Sequence, residues 1–297
     1  MIKIIATDMD GTLLNSRGSI SDENYKAIQL ALKAGIDVVI ATGRSQEFAR
    51  FPVEEKGLRL PYIVMNGALI INKDGDIESS IPLDKALIHE VVQILNEYGV
   101  YYEFYTNQGH ISVSKKKGIS ILKKVLQHRE EWKSLGEILE YIYNRFKNSQ
   151  MRFIQYSDDL IKNEDLEIYK MIVFSFEKDK LCELQEILSQ NPQLAISSSG
   201  YGNLEINHVE ARKGLALERY ARKRNISIAE TMAIGDSLND ADMLKRAGFS
   251  VAMNNASEDI KQLADYVTLS NDQDGFAHAV YKVIEMNQNK KSSLGSV

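Results

Sequence analysis

Ile2-Lys3-Ile4-Ile5-Ala6-Thr7-Asp8-Met9-Asp10-Gly11-Thr12 opens the chain with a short apolar run that breaks into two carboxylates one residue apart. The run has the length of a buried parallel strand, so the acids stand at a strand's C-terminal end. Side chains alternate along a strand, which points Asp8 and Asp10 the same way while Met9 turns back into protein, and Gly11 lets the backbone turn just beyond. Two carboxylates in one small space repel unless a cation lies between them or one keeps its proton. Asp-x-Asp-Gly also serves as an ordinary turn after a strand, so the rest of the chain decides between the two readings.

Working outward, Ser21-Asp22-Glu23 opens an amphipathic helix through Ala27, Ile28, Leu30, Ala31 and Leu32 that stops at Gly35, and Ile36 to Ala41 forms the next strand. Strand, helix and strand with short joints make a βαβ unit whose strands are parallel and end on one edge. Thr42-Gly43-Arg44 therefore falls beside Asp8 and Asp10, where a hydroxyl and backbone amides can bind phosphate oxygens. Tyr62 to Met65 is a third parallel strand ending at Asn66-Gly67, a pair that a structural turn explains equally well and that stays outside the catalytic set. Ala68 to Asn72 and Asp76 to Ile81 flank Lys73-Asp74-Gly75 as a hairpin. Far downstream, Lys213 starts a helix, where its charge opposes the helix dipole and needs a compensating anion. Thr231 to Ile234 is another buried strand, and it runs into Gly235-Asp236-Ser237-Leu238-Asn239-Asp240, so Asp236 and Asp240 bracket one helical turn. Asp236 suits direct metal ligation; Asp240 suits orienting water on a metal or pairing with Lys213. Phe249 to Met253 and Tyr266 to Leu269 supply two more strands, with a helix over Glu258 to Ala264 between them.

Asp8-Met9-Asp10-Gly11-Thr12, Thr42-Gly43-Arg44, Lys213-Gly214 and Gly235-Asp236 through Asp240, in that order, resemble the four motifs of the haloacid dehalogenase superfamily of phosphohydrolases, and more closely its Cof-type branch. The resemblance implies an α/β fold: a doubly wound, mostly parallel Rossmann-like core sheet, with an α/β cap inserted between the second and third motifs. Residues 1–82 and 209–286 form the expected catalytic core, 83–208 the cap that sets substrate specificity, and 287–297 a polar, disordered tail. The inserted stretch alternates helical and strand patterns of its own, so two chain crossings can act as hinges and let it close over a ligand.

Composition agrees with this reading without demonstrating it. A 297-residue chain with 44% hydrophobic residues can fill two cores. The net charge of -5 argues against general binding to nucleic acid or anionic membrane. No apolar stretch approaches the roughly 20 residues that span a bilayer, and the N-terminus runs straight into a strand, so the expected location is the cytoplasm. The single cysteine, Cys182, with Leu181, Leu184 and Ile187 nearby, reads as a core filler. Lys115, Lys116, Lys117, Lys123 and Lys124 read as a solvated helix face. His89, His110, His128, His208 and His278 lack the spacing of metal ligands.

Charge accounting gives the chemistry. A carboxylate approaches a phosphate dianion only when positive charge is supplied, and oxygen-only ligands suit Mg2+. By resemblance, Asp8 attacks phosphorus, while Asp8, the Asp10 carbonyl oxygen and Asp236 hold the metal. Asp10 protonates the leaving oxygen and then activates water against the aspartyl phosphate. Lys213, Thr42, Gly43 and Asn239 contact the phosphate. The expected partner is a small phosphorylated metabolite such as a sugar phosphate or a phosphorylated cofactor. A phosphomutase of the same superfamily and a non-catalytic phosphometabolite sensor are the rival readings.

Overall fold

A four-residue strand with no polar side chain except Thr7 is stable only in the middle of a sheet, and β1 (Ile4–Thr7) lies there, fully buried. In the computed structural model, which describes residues 1–127, 134–148, 151–154, 160 and 162–294, β1 pairs in parallel with β2 (Asp37–Ala41) on one side. On its other side it pairs in parallel with β12 (Thr231–Gly235). β3 (Tyr62–Val64) extends the sheet in parallel, and β4 (Leu69–Ile71) and β5 (Ile77–Ser80) add an antiparallel edge. β13 (Phe249–Ala252) and β14 (Tyr266–Val267) extend the other edge in parallel, giving the order β14-β13-β12-β1-β2-β3-β4-β5. The C-terminal ends of β1, β2, β3 and β12 consequently share one edge, where ligands of open α/β sheets bind.

Alternation along the strands supplies both faces. Ile4, Ala6, Val39 and Ala233 pack under Ala216, Leu217 and Tyr220 of the helix Lys213–Lys223, beside Met243 and Leu244 of the helix Ala241–Arg246. On the other face the helix Asp22–Lys33 packs along the helix Gly275–Leu294. Ser21 caps the first of these by accepting the Asn24 amide at 3.0 Å, as its sequence signature requires.

The chain divides into two compact units, Met1–Ser80 with Ala211–Val297, and Ile81–Glu210. In the second, β6 (Tyr101–Thr106), β7 (Gly109–Ser112), β8 (Arg152–Phe153), β9 (Ile168–Phe174), β10 (Leu194–Ser197) and β11 (Asn203–His208) form a separate sheet. Its order is β10-β11-β9-β6-β7-β8, antiparallel except for β7 with β8. One face buries Tyr102, Phe104, Met171 and Ile206 against Leu87, Val91 and Leu184 of two helices. The other face carries charge: Arg145 forks Glu103 at 2.7 and 2.5 Å, Lys170 pairs with Glu205 at 3.0 Å, and His110 stacks on Tyr105 at 4.0 Å between ring centroids. Lys85 closes the start of its helix on three carbonyl oxygens, those of Leu160, Asn163 and Leu166, at 2.6 to 3.2 Å.

Three expectations need correction. The polar stretch from Asn287 is no disordered tail: the last helix continues to Leu294, and Asn287 both accepts from the Ile2 amide at 2.8 Å and donates to the Ile2 carbonyl at 2.7 Å. Residues 295–297 of that expected tail lie outside the described residues, as does His128. Cys182 is exposed, because the buried stripe of its helix is Leu181, Leu184 and Leu188, and position 182 is turned about 100° away from Leu181. Met65 and Leu269 fall beyond their strands; Met65 already has φ 51° and begins a turn.

Candidate active site

Asp8 is the first residue after β1, with its amide donating to the Ile234 carbonyl at 3.0 Å, so the sheet itself fixes its backbone. Its side chain is buried and receives Lys213 Nζ on Oδ1 at 2.7 Å. The same ammonium donates to Asp240 Oδ1 at 2.7 Å and is wholly enclosed. Lys213 occupies the first position of its helix, and these two carboxylates are the anions its placement called for. Of the two roles left open for Asp240, the pairing with Lys213 is the one observed. Its other oxygen accepts the amides of Asp236 and Ser237, both at 3.0 Å, which closes the turn after β12.

Asp236 follows β12, the strand beside β1. Thr12 Oγ1 donates to its Oδ1 at 2.8 Å and Ser237 Oγ to its Oδ2 at 3.1 Å. The turn at Gly11 makes this approach possible: φ is +76°, and a Cβ there would lie 2.6 Å from Asp236 Oδ2. Asp8, Asp236 and Asp240 each bring a carboxylate oxygen within 4.8 Å of the others. Burial, with Asp240 and Asp236 adding repulsion, raises the Asp8 pKa well above the ordinary carboxylate value even though Lys213 pulls it down. Burial and the Asp240 charge also raise Asp236, to about 6, against the hydrogen bonds from Thr12 and Ser237. For Lys213, burial opposes the charge, but Asp240 and Asp8 more than offset it and the pKa is raised.

Asp10 does not share that buried space. Strand alternation ends at Thr7, so although Met9 is buried as expected, the Asp10 side chain is 63% exposed. Arg44 Nε and Nη2 clasp its two oxygens at 2.8 and 2.6 Å, and Arg44 Nη1 is itself held by the Phe48 carbonyl at 3.0 Å. Thr42 is buried at the end of β2, with Gly43 half-buried after it; Thr42 Oγ1 accepts the Arg44 amide at 3.2 Å. Asn239, half-buried, donates from Nδ2 to Asn66 Oδ1 at 3.4 Å.

All eight residues singled out from the sequence thus lie on loops, turns or a helix start at the shared edge, with Asp8, Lys213, Asp236 and Asp240 in one connected cluster. Sequence reasoning missed three contributors. Arg44 has no role in its motif as read from sequence, although a cation at a strand end beside acids is the available signal. Thr12 likewise has no role in the sequence pattern, and a turn accounts for Asn66 there equally well.

The pattern of haloacid dehalogenase-like hydrolases matches residues 5–280. The chain belongs to that family. It is 36% identical over 281 residues to phosphatase YwpJ of Bacillus subtilis, covering 93% of this chain and 98% of that one. It is 31% identical over 284 residues to the B. subtilis 5-amino-6-(5-phospho-D-ribitylamino)uracil phosphatase YwtE, covering 95% and 98%. Among solved structures, a haloacid dehalogenase-like hydrolase from B. subtilis superposes with a TM-score of 0.85 at 34% identity, over 94% of this chain and 99% of that one. This member of the family is an enzyme of the phosphatase kind.

Proposed function

We propose that the enzyme hydrolyses phosphate monoesters of small metabolites with Mg2+, through an aspartyl phosphate on Asp8. The observation that carries this reading is the enclosed ammonium of Lys213, shared at 2.7 Å by Asp8 and Asp240 beside Asp236. Three carboxylates and one ammonium leave excess negative charge in a buried space, and the raised carboxyl pKa values register it. An oxygen-only donor set with surplus negative charge fits a hard divalent cation. Asp8, Asp236 and the Asp10 carbonyl oxygen would hold it, and when bound it supplies positive charge that screens carboxylate from phosphate.

The chain's own residues carry the reaction. An Asp8 oxygen attacks phosphorus as the bond to the leaving oxygen breaks, and Asp10 delivers a proton to that oxygen. Water then attacks phosphorus, its proton passes to the Asp10 carboxylate, and the bond to Asp8 breaks, releasing inorganic phosphate. For either step Asp10 leaves the Arg44 clasp, whose carboxylate end is open to solvent. Lys213, Thr42, Gly43 and Asn239 meet the non-bridging oxygens. YwtE acts on a phosphorylated ribityl compound, by its name, which supports phosphorylated small metabolites as the substrate class here.

The test is release of phosphate from p-nitrophenyl phosphate. Asp8→Asn is expected to abolish it with the fold retained, and EDTA to stop wild-type turnover until Mg2+ is returned. Full activity of Asp8→Asn, or indifference to chelation, would refute the reading.

A further inference from the structure

The unit Ile81–Glu210 contains a cavity of about 320 Å³ whose lining takes no part in the phosphoryl transfer described above. It is bounded by the helix Lys115–Gln127, the helix Leu135–Asn148 and the segment of β8. Leu139, Ile142, Tyr143 and Phe146 recur three and four positions apart, so they form one stripe along their helix. Ile142 and Phe146 are buried and make the floor, whereas Leu139 is 44% and Tyr143 65% exposed at the mouth. Ile119, Met151 and Phe153 complete the apolar lining, and the Phe146 and Phe153 rings meet edge to face at 5.5 Å between centroids. A surface helix ordinarily turns polar groups to water, so two large apolar side chains at the mouth of an apolar hollow are better stabilised when something covers them.

The charged groups in the lining are Lys115 and Lys147, one from each helix, and among the described residues neither has an acid within ion-pair distance. Lys115 also starts its helix, followed by Lys116 and Lys117 with no acid in the first turn, so the helix dipole adds to their positive charge. Where Lys213 occupies the same position in its own helix, Asp8 and Asp240 answer it at 2.7 Å. At Lys115 a bound anion would do the same. An apolar hollow with ammonium groups at its rim takes a ligand with an apolar body and one anionic end. Three aromatic rings and a thioether select among such bodies: ring edges and offset faces, and sulfur against a ring, reward an aromatic body over an aliphatic one of equal area. We propose that this cavity binds a small aromatic carboxylate, of about ten to fifteen non-hydrogen atoms by its volume, with its ring among Tyr143, Phe146, Met151 and Phe153 and its carboxylate held by Lys115 and Lys147. No residue is shared with the phosphoryl-transfer site, so the proposal stands or falls apart from the phosphatase reading.

The experiment is calorimetric titration of the full chain with three probes of equal carbon count: cinnamate, its neutral counterpart cinnamamide, and the aliphatic nonanoate. Cinnamate is expected to fill one site per chain with Kd below about 1 mM, with cinnamamide about tenfold weaker and nonanoate weaker by about threefold or more. Lys115→Gln combined with Lys147→Gln changes two exposed positions and leaves the apolar lining in place. It is expected to weaken cinnamate about tenfold, leave cinnamamide unchanged and keep the thermal midpoint. Tyr143→Ser, also at an exposed position, is expected to weaken cinnamate and cinnamamide alike. Cinnamate binding untouched by the lysine changes would seat the ligand elsewhere on the chain and overturn the proposal. So would failure of cinnamate to saturate by about 5 mM, equal affinity for cinnamamide, or nonanoate binding as tightly as cinnamate, and these three comparisons need no variant to fold.

Discussion

At the scale of single residues, the site is governed by Lys213, and what it does for stability can be separated from what it does for turnover. Removing one member of a buried ion cluster strands the others, at about 3–5 kcal/mol. Lys213→Met is therefore expected to lower the urea midpoint in metal-free buffer, with Mg2+ restoring part of the stability but none of the hydrolysis. Gly11→Ala makes the complementary case. Its Cβ would press on Asp236 at 2.6 Å, and the left-handed backbone would add about 1–2 kcal/mol. The expected result is loss of activity at least tenfold beyond any loss of folded protein, read as kcat per active molecule. The acids, the lysine and their sequence-distant meeting were legible because charged residues at the ends of buried strands have few structural alternatives. The clasp of Arg44 on Asp10 was not, because it depends on β1's alternation ending at Thr7, before the Asp-x-Asp pattern begins.

At the scale of elements, the strands of the core were readable as continuous apolar runs, since a parallel strand buried on both faces leaves no alternation to misread. The second sheet was harder. Its charged face places Glu103, His110, Lys170 and Glu205 where a two-sided hydrophobic pattern would put apolar residues, and the pairing of these groups with Arg145 from a separate helix has no local signature. His110 gives this face a measurable property. Burial, together with the charges of Arg145 and Lys170, lowers its pKa to about 3, and the Tyr105 ring lies against it. In the unfolded chain an ordinary histidine binds its proton near pH 6.5. Between those limits the unfolded state holds more protons, so stability is full above about pH 6.5 and falls as pH drops toward 3. Thermal midpoints at pH 7 and pH 5 are expected to differ less in His110→Gln than in wild type. An equal difference would show that other groups set the acid sensitivity.

At the scale of the whole molecule, the two termini are joined through Asn287, whose side chain completes both backbone bonds of Ile2. Polar composition hid this, because one well-placed amide outweighs the average character of the residues around it. Asn287→Ala is expected to cost about 1–2 kcal/mol, visible as a lower thermal midpoint with kcat unchanged. Mg2+ at a hundredfold excess over its dissociation constant is expected to raise global stability by about 2.7 kcal/mol, an effect that Asp236→Ala should remove. The pairing of β1 with β12 has a consequence for biosynthesis. Thr12 and Asp236 stand 224 positions apart, and both edges of β1 are completed only when the strand leading to Asp236 has been made. At about 5–20 residues per second, the nascent chain waits some tens of seconds with its first strand open on one side. Every polypeptide leaving the ribosome must keep that hydrophobic edge from its neighbours during this interval, and ribosome-bound intermediates stalled before residue 231 are expected to lack hydrolysis altogether.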